Sequence, residues 1–182
     1  MKTISALLLS VFVVTSHAAE SKVVDVKAEG FLREPLTGAV VKVPILAAII
    51  SEGDFKVLSG TREAFACVYL GKGAAAEIVT ALKKAPRWAA KAKEVGLETS
   101  KDLLDLTSFS DGSIYGLKFV FSASEKGAES HVEIEMHDFE TSRVVTIRLE
   151  LEQVPKLIEV FQKVPVVFEE YKVQQAKAEQ LQ

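Results

Sequence analysis

The chain has 182 residues, 48 % hydrophobic and 26 % charged, with a formal net charge of −3. This composition excludes a disordered or low-complexity chain, and the acidic balance opposes broad attraction to nucleic acid or to an anionic membrane. One cysteine, Cys67, rules out a fold held by internal disulfides.

The first eighteen residues, Met1 to Ala18, read as an export signal. Lys2 gives a charged start, Ile4 to Val14 form an apolar run, and Ser16-His17-Ala18 is a small-x-small cleavage site, so the mature chain is expected to begin at Ala19. The run falls short of the roughly 20 residues a membrane span needs, so no transmembrane segment is expected in the mature chain. No cysteine stands at the cleavage point, which argues against a lipoprotein. The expected destination is the periplasm or the medium. Residues 19–172 are expected to form a single α+β domain, and residues 173–182 a polar C-terminal tail in the form of a frayed helical extension.

From Ser21 to Gly30, Val24, Val26 and Ala28 alternate with charged residues, as in an edge strand. Phe31 to Gly38 reads as a loop. Ala39 to Ile50 reads as a buried strand with a bend or an edge at Pro44. After a turn at Glu52-Gly53-Asp54, strands are expected at Phe55–Gly60 and Ala64–Leu70, joined by a turn at Thr61-Arg62. Gly71-Lys72-Gly73 then opens a helix with the stripe Ala75, Ile78, Val79 and Leu82. That glycine pair lacks the longer spacing and the Lys-Ser/Thr ending of a phosphate-binding loop. Pro86 breaks or kinks the helix, Trp88, Ala89, Ala92 and Val95 continue it, and Gly96 is a natural stop.

The second half is the organising block, from Asp102 to Lys172. Asp111-Gly112 is a two-residue hairpin signal, because both positions of a type I′ turn need φ > 0. It sets Leu106 opposite Leu117, Leu104 opposite Phe119 and Asp105 opposite Lys118. A second hairpin closing at Glu140-Thr141 sets Met136 on Val145, Ile134 on Ile147 and Val132 on Leu149. On its other face Glu133 meets Arg148, His131 meets Glu150 and Glu135 meets Thr146. A slip of one residue destroys both the apolar row and the charge pairing. Residues 125–130, with Gly127, join the two hairpins. The period then changes to 3.6, with Val154, Leu157, Ile158, Phe161, Pro165 and Phe168 on one face. Pro155 suits the first helical turn, and Pro165 is expected to kink or divide the helix.

A shift of 79 residues aligns the two helices and the strands before them: Leu82 falls on Phe161, Pro86 on Pro165, Val68 on Ile147, and Phe55 on Ile134. The expected fold is therefore α+β: two antiparallel meander sheets, each followed and covered by a Pro-kinked helix, as a possible tandem ββββα repeat over residues 22–96 and 102–172. In layout alone this resembles the whirly and related single-strand-binding folds. No residue motif carries that likeness, and fold analogy does not supply a function.

Three candidate sites follow. His131-x-Glu133-x-Glu135-x-His137 projects four side chains from one face of a strand, and imidazole and carboxylate suit zinc or another divalent metal. The same row also reads as a solvated outer face. Arg87 and Trp88, after Pro86, could stack on a ligand between helix and sheet, or Trp88 could simply pack the helix down. In the first meander, Leu58, Phe65, Cys67 and Tyr69 beside Lys56 make the second face apolar as well. It is either covered inside the domain or open as an interaction surface, including for a homodimer. Cys67 reads first as a small buried hydrophobe. No nucleophile elbow, metalloprotease helix or dinucleotide fingerprint occurs. The expectation is an exported non-catalytic binding or interaction protein without a cofactor, its partner an unidentified protein or small ligand. The alternative is a metal-dependent protein using His131 and His137.

Overall fold

The computed structural model describes residues 21–124 and 129–180. The expected export signal and its cleavage point, and the Gly127 part of the loop joining the two hairpins, lie outside the described residues. In chain order the elements are β1 (Lys22–Val23), β2 (Ala28–Arg33), β3 (Val40–Ile49), β4 (Asp54–Gly60), β5 (Phe65–Gly71), α1 (Ala74–Leu82), α2 (Ala85–Val95), β6 (Thr99–Ser110), β7 (Ser113–Ala123), β8 (Ser130–Asp138), β9 (Arg143–Glu150) and α3 (Val154–Glu179).

The strands form one antiparallel sheet in the order β5-β4-β3-β2-β9-β8-β7-β6, with β1 pairing β3. This corrects the expectation of two sheets. Strand β2 is the joint: one edge pairs with β3 from Ala28↔Ile45 to Arg33↔Val40, and the other sets Phe31 and Leu32 opposite Arg148 and Ile147 of β9. Gly30 makes that junction possible, since a Cβ there would stand 2.5 Å from Ile147 Cγ2. Strand twist curls the sheet until β5 lies against β6, β7 and β8, so it is nearly closed like a barrel. The Ser108 hydroxyl donates to the Tyr69 carbonyl across the seam.

In the second half, the pairings expected from the hairpins are all present, from Leu106↔Leu117 to His131↔Glu150. Asp111 and Gly112 have φ of 50° and 81°, as a type I′ turn demands. At the other tip, the Asp138 carboxylate accepts hydrogen bonds from the backbone N–H groups of Glu140 (3.1 Å) and Thr141 (3.3 Å). Strand β6 starts at Thr99, earlier than expected, and is irregular between Asp102 and Leu104, where Leu103 is buried.

In the first half, Phe31–Arg33 belong to β2 rather than to a loop, because they are the residues that hold β3 and β9 together. Pro44 does not lie in an edge strand. It stands one residue beyond the last β3–β4 pair, Ile45↔Ser59, and its carbonyl accepts from Ser59 Oγ at 2.7 Å.

The helices occupy the concave side of the curled sheet, and they do so crosswise. Helix α3 lies against β1, β2, β3 and α1, whereas α1 lies against β6 and α2 against β7 and β8. The expectation that each helix covers its own meander therefore fails, because one continuous sheet gives both helices a single shared interior. Phe161 of α3 meets Phe55 of β4 and Phe119 of β7 edge-on, with centroids 6.3 and 6.5 Å apart, and so ties the two halves into one core. Val154, Leu157, Val160, Val164, Phe168 and Tyr171 complete the buried stripe of α3. Pro165 neither divides the helix nor faces the core. It lies on the solvent side, where long helices tolerate weakened backbone bonds. Pro86 falls in the first turn of α2, and Gly96 ends α2 with φ of 64°. Among the described residues no helix is long and apolar enough to cross a membrane.

Candidate functional site

Helix α2 packs inward through Ala85, Trp88, Ala89 and Ala92, an i, i+3, i+4, i+7 stripe. At 100° per residue this turns Lys84, Arg87, Lys91 and Val95 outward on the flank beside Trp88, where all four are exposed. That flank and the start of β6 border an open groove of about 720 Å³, lined by Arg87, Trp88, Lys91, Val95, Leu97 and Lys101, with Glu94 as the one acidic residue on its wall. Trp88 is half-buried and meets the wholly buried Phe121 edge-on, with centroids 5.9 Å apart at 79°. Lys101 Nζ lies 5.8 Å from the centre of the Trp88 ring, a cation–π distance. At the rim, Val95 is 52 % and Leu97 53 % exposed.

Three cations, Arg87, Lys91 and Lys101, and one carboxylate, Glu94, line the groove, in a chain whose net charge is −3. Lys91 is paired with Glu94 at 3.1 Å. Among the described residues, Arg87 and Lys101 have no carboxylate within 4 Å. The structure thus brings together the two residues that sequence reading singled out, Arg87 and Trp88, and adds Lys101, Leu97 and Phe121. The run of cations in α2 was the signal that could have marked the site more sharply.

The His131–His137 row is placed as its period implied, on the face of β8 turned away from the core. It does not gather. His131 Nε2 lies 3.2 Å from Glu133 Oε1 and His137 Nε2 lies 3.3 Å from Glu135 Oε2, which makes two pairs rather than one cluster. At about 3.4 Å per residue the two imidazoles stand roughly 20 Å apart along the strand. His137 stacks on Phe139, with centroids 5.6 Å apart. Arg148 sits opposite Glu133, yet its guanidinium reaches Glu150 (2.9 Å) and Glu129 (3.7 Å). Among the described residues, no three His, Cys, Asp or Glu side chains are placed to hold a metal ion together.

The second face of the first meander is only partly open. Leu58, Cys67 and Tyr69 are half-buried, and Phe65 is 47 % exposed. The curl of the sheet sets the Tyr69 ring 5.0 Å from that of Tyr115 on β7. A cavity of about 270 Å³ remains at this seam, lined by Phe65, Cys67, Tyr69, Tyr115, His137 and Arg143. Burial pushes the Cys67 thiol above its ordinary pKa, against the weaker pull of the Lys56 charge. The Tyr69 phenol is pushed up to about 12, first by the charge of the neighbouring Cys67 thiolate and then by burial. A thiol held protonated in this way is a poor nucleophile.

One surface feature escaped sequence reading. Phe109, Ile114, Phe139 and Val144 are all exposed, Phe109 by 77 %. Phe109 faces Ile114 across the first hairpin tip, and Phe139 lies over Gly116, where a Cβ would stand 3.0 Å from the ring.

Compared with protein-family models, with curated proteins and with solved structures, the chain has no significant match.

Proposed function

We propose that this chain is an exported, non-catalytic binding protein whose small-molecule ligand lies in the groove between α2 and β6. One observation carries the reading: the only tryptophan of the chain converges on a concave site of about 720 Å³ with Arg87 and Lys101, neither of which has an acidic partner among the described residues. Ligand sites are commonly of this size, apolar in their walls, with a few placed polar groups. The seam cavity is smaller, and Asp138 beside it is engaged in its own turn. The row His131, Glu133, Glu135 and His137 supports no metal reading, because its donors end in two separated pairs. On the face bearing Leu58, Phe65 and Tyr69 only Phe65 is exposed, and Tyr69 is set against Tyr115 at the seam.

The test uses the fluorescent probe 1-anilinonaphthalene-8-sulfonate with Trp88 as reporter. The expected result is saturable quenching of Trp88 emission, lost in the double variant Val95→Glu/Leu97→Glu, which alters only the exposed rim. Saturable binding that the rim substitutions leave intact would place the site elsewhere and overturn the reading.

The finer reading of the fold, a tandem ββββα duplication, is also proposed. It is supported by two successive runs of strands and then helix, β2 to β5 with α1 (after the two-residue β1) and β6 to β9 with α3, in step over 79 residues for β4 with β8 and for β5 with β9. Polar substitutions at the matched buried positions Phe55 and Ile134, or Val68 and Ile147, should destabilise alike. Unrelated effects at matched positions would count against duplication.

A further inference from the structure

We infer that the groove takes a single-chain anionic amphiphile: a soluble molecule with an apolar body and one acidic head, of the kind represented by a medium-chain alkyl carboxylate. The inference rests on the binding reading above and names the ligand's chemistry. The apolar body is called for by Trp88 with Phe121 beneath it and by Val95 and Leu97 at the rim. The acidic head is called for by Arg87 and Lys101, which stand at the groove without a carboxylate partner among the described residues. Guanidinium and ammonium donors bind carboxylates more strongly than neutral groups do.

The same arrangement disfavours the other ligand classes. A cationic ligand would ordinarily use the face of an indole ring, but Lys101 already stands over Trp88 and would repel it. A neutral apolar molecule would leave Arg87 and Lys101 without an anion. A lipid bilayer presents a broad surface, whereas the aromatic wall of this groove is the single half-buried ring of Trp88.

The experiment titrates the full chain with dodecanoate and dodecyltrimethylammonium below their micelle concentrations and with dodecanol below its solubility limit, following Trp88 emission and, independently, heat of binding. Anionic vesicles of phosphatidylglycerol form a fourth arm. Dodecanoate is expected to bind at least about tenfold more tightly than dodecanol, the change in affinity that one charge-assisted contact of about 1.4 kcal/mol supplies. The variant Arg87→Glu/Lys101→Glu, which changes exposed side chains only, is expected to remove that preference, with dodecanoate losing at least about tenfold more affinity than dodecanol. Equal affinity for dodecanoate and dodecanol, or a preference for the cation, overturns the acidic-head inference while leaving the groove as a ligand site. Binding to vesicles with none to monomeric dodecanoate overturns it in favour of a membrane surface. Failure of all three monomers and of the naphthalene sulfonate probe overturns the binding reading as well.

Discussion

Replacing Phe161 by alanine tests whether one core joins both halves of the chain. Phe161 is 1 % exposed and meets Phe55 from the first half and Phe119 from the second edge-on. Truncating a buried phenylalanine costs about 3–5 kcal/mol, through lost transfer free energy and the cavity left behind. Each lost ring pair adds on the order of 0.5–1.5 kcal/mol beyond the buried area, so the cost should lie toward the upper end, about 4–5 kcal/mol. Domains of this size are stable by roughly 5–15 kcal/mol, so the variant should still fold but melt early. Equilibrium unfolding in urea, read by far-ultraviolet circular dichroism, gives the midpoint and the slope. Val166→Ala on the same helix is the control: Val166 is 58 % exposed, and its loss should cost under about 0.5 kcal/mol. A Phe161→Ala cost below about 1 kcal/mol would mean that α3 does not bury this face, and the account of the core would fail.

Three further outcomes are expected. Gly30→Val should destabilise by about 1–3 kcal/mol or more, through overpacking where β2 meets both β3 and β9; a neutral effect on the urea midpoint would show that β2 and β9 are not joined there. Burial raises the Cys67 pKa in the folded chain, so the stability it contributes is present below the unfolded thiol value and is lost as the pH climbs through the folded one. The wild type should therefore lose more stability than Cys67→Ala above about pH 9, near the ordinary thiol value, and parallel alkaline profiles would speak against burial of the thiol. Because the His131 and His137 pairs do not converge, chelator should leave the melting temperature unchanged, and a chelator-sensitive melt abolished in His131→Ala/His137→Ala would restore the metal reading.

The second half was legible because each hairpin imposes two constraints at once. Val132, Ile134 and Met136 must find Leu149, Ile147 and Val145, while His131 must find Glu150 on the opposite face, and only one register does both. Asp111-Gly112 marks its turn through backbone geometry that few other residues adopt. The joining of the meanders was not legible. The β2–β9 contact rests on Phe31 and Leu32, two residues with no local pattern, and its best trace is Gly30, whose missing side chain has meaning only once Ile147 is known to lie over it. The crosswise helices follow from that closure and were hidden with it. At the groove, Arg87 and Trp88 were visible as neighbours on one helix. Lys101 and Phe121 arrive from separate strands, and only the fold brings them to the same tryptophan.

The central claim is that the groove beside Trp88 is open to a ligand in solution. Because Trp88 is the only tryptophan, acrylamide quenching of its emission reports on that groove alone. The account predicts appreciable quenching of the free protein and marked protection at saturating dodecanoate. A tryptophan equally quenched with and without dodecanoate, or shielded in the free protein, would contradict it.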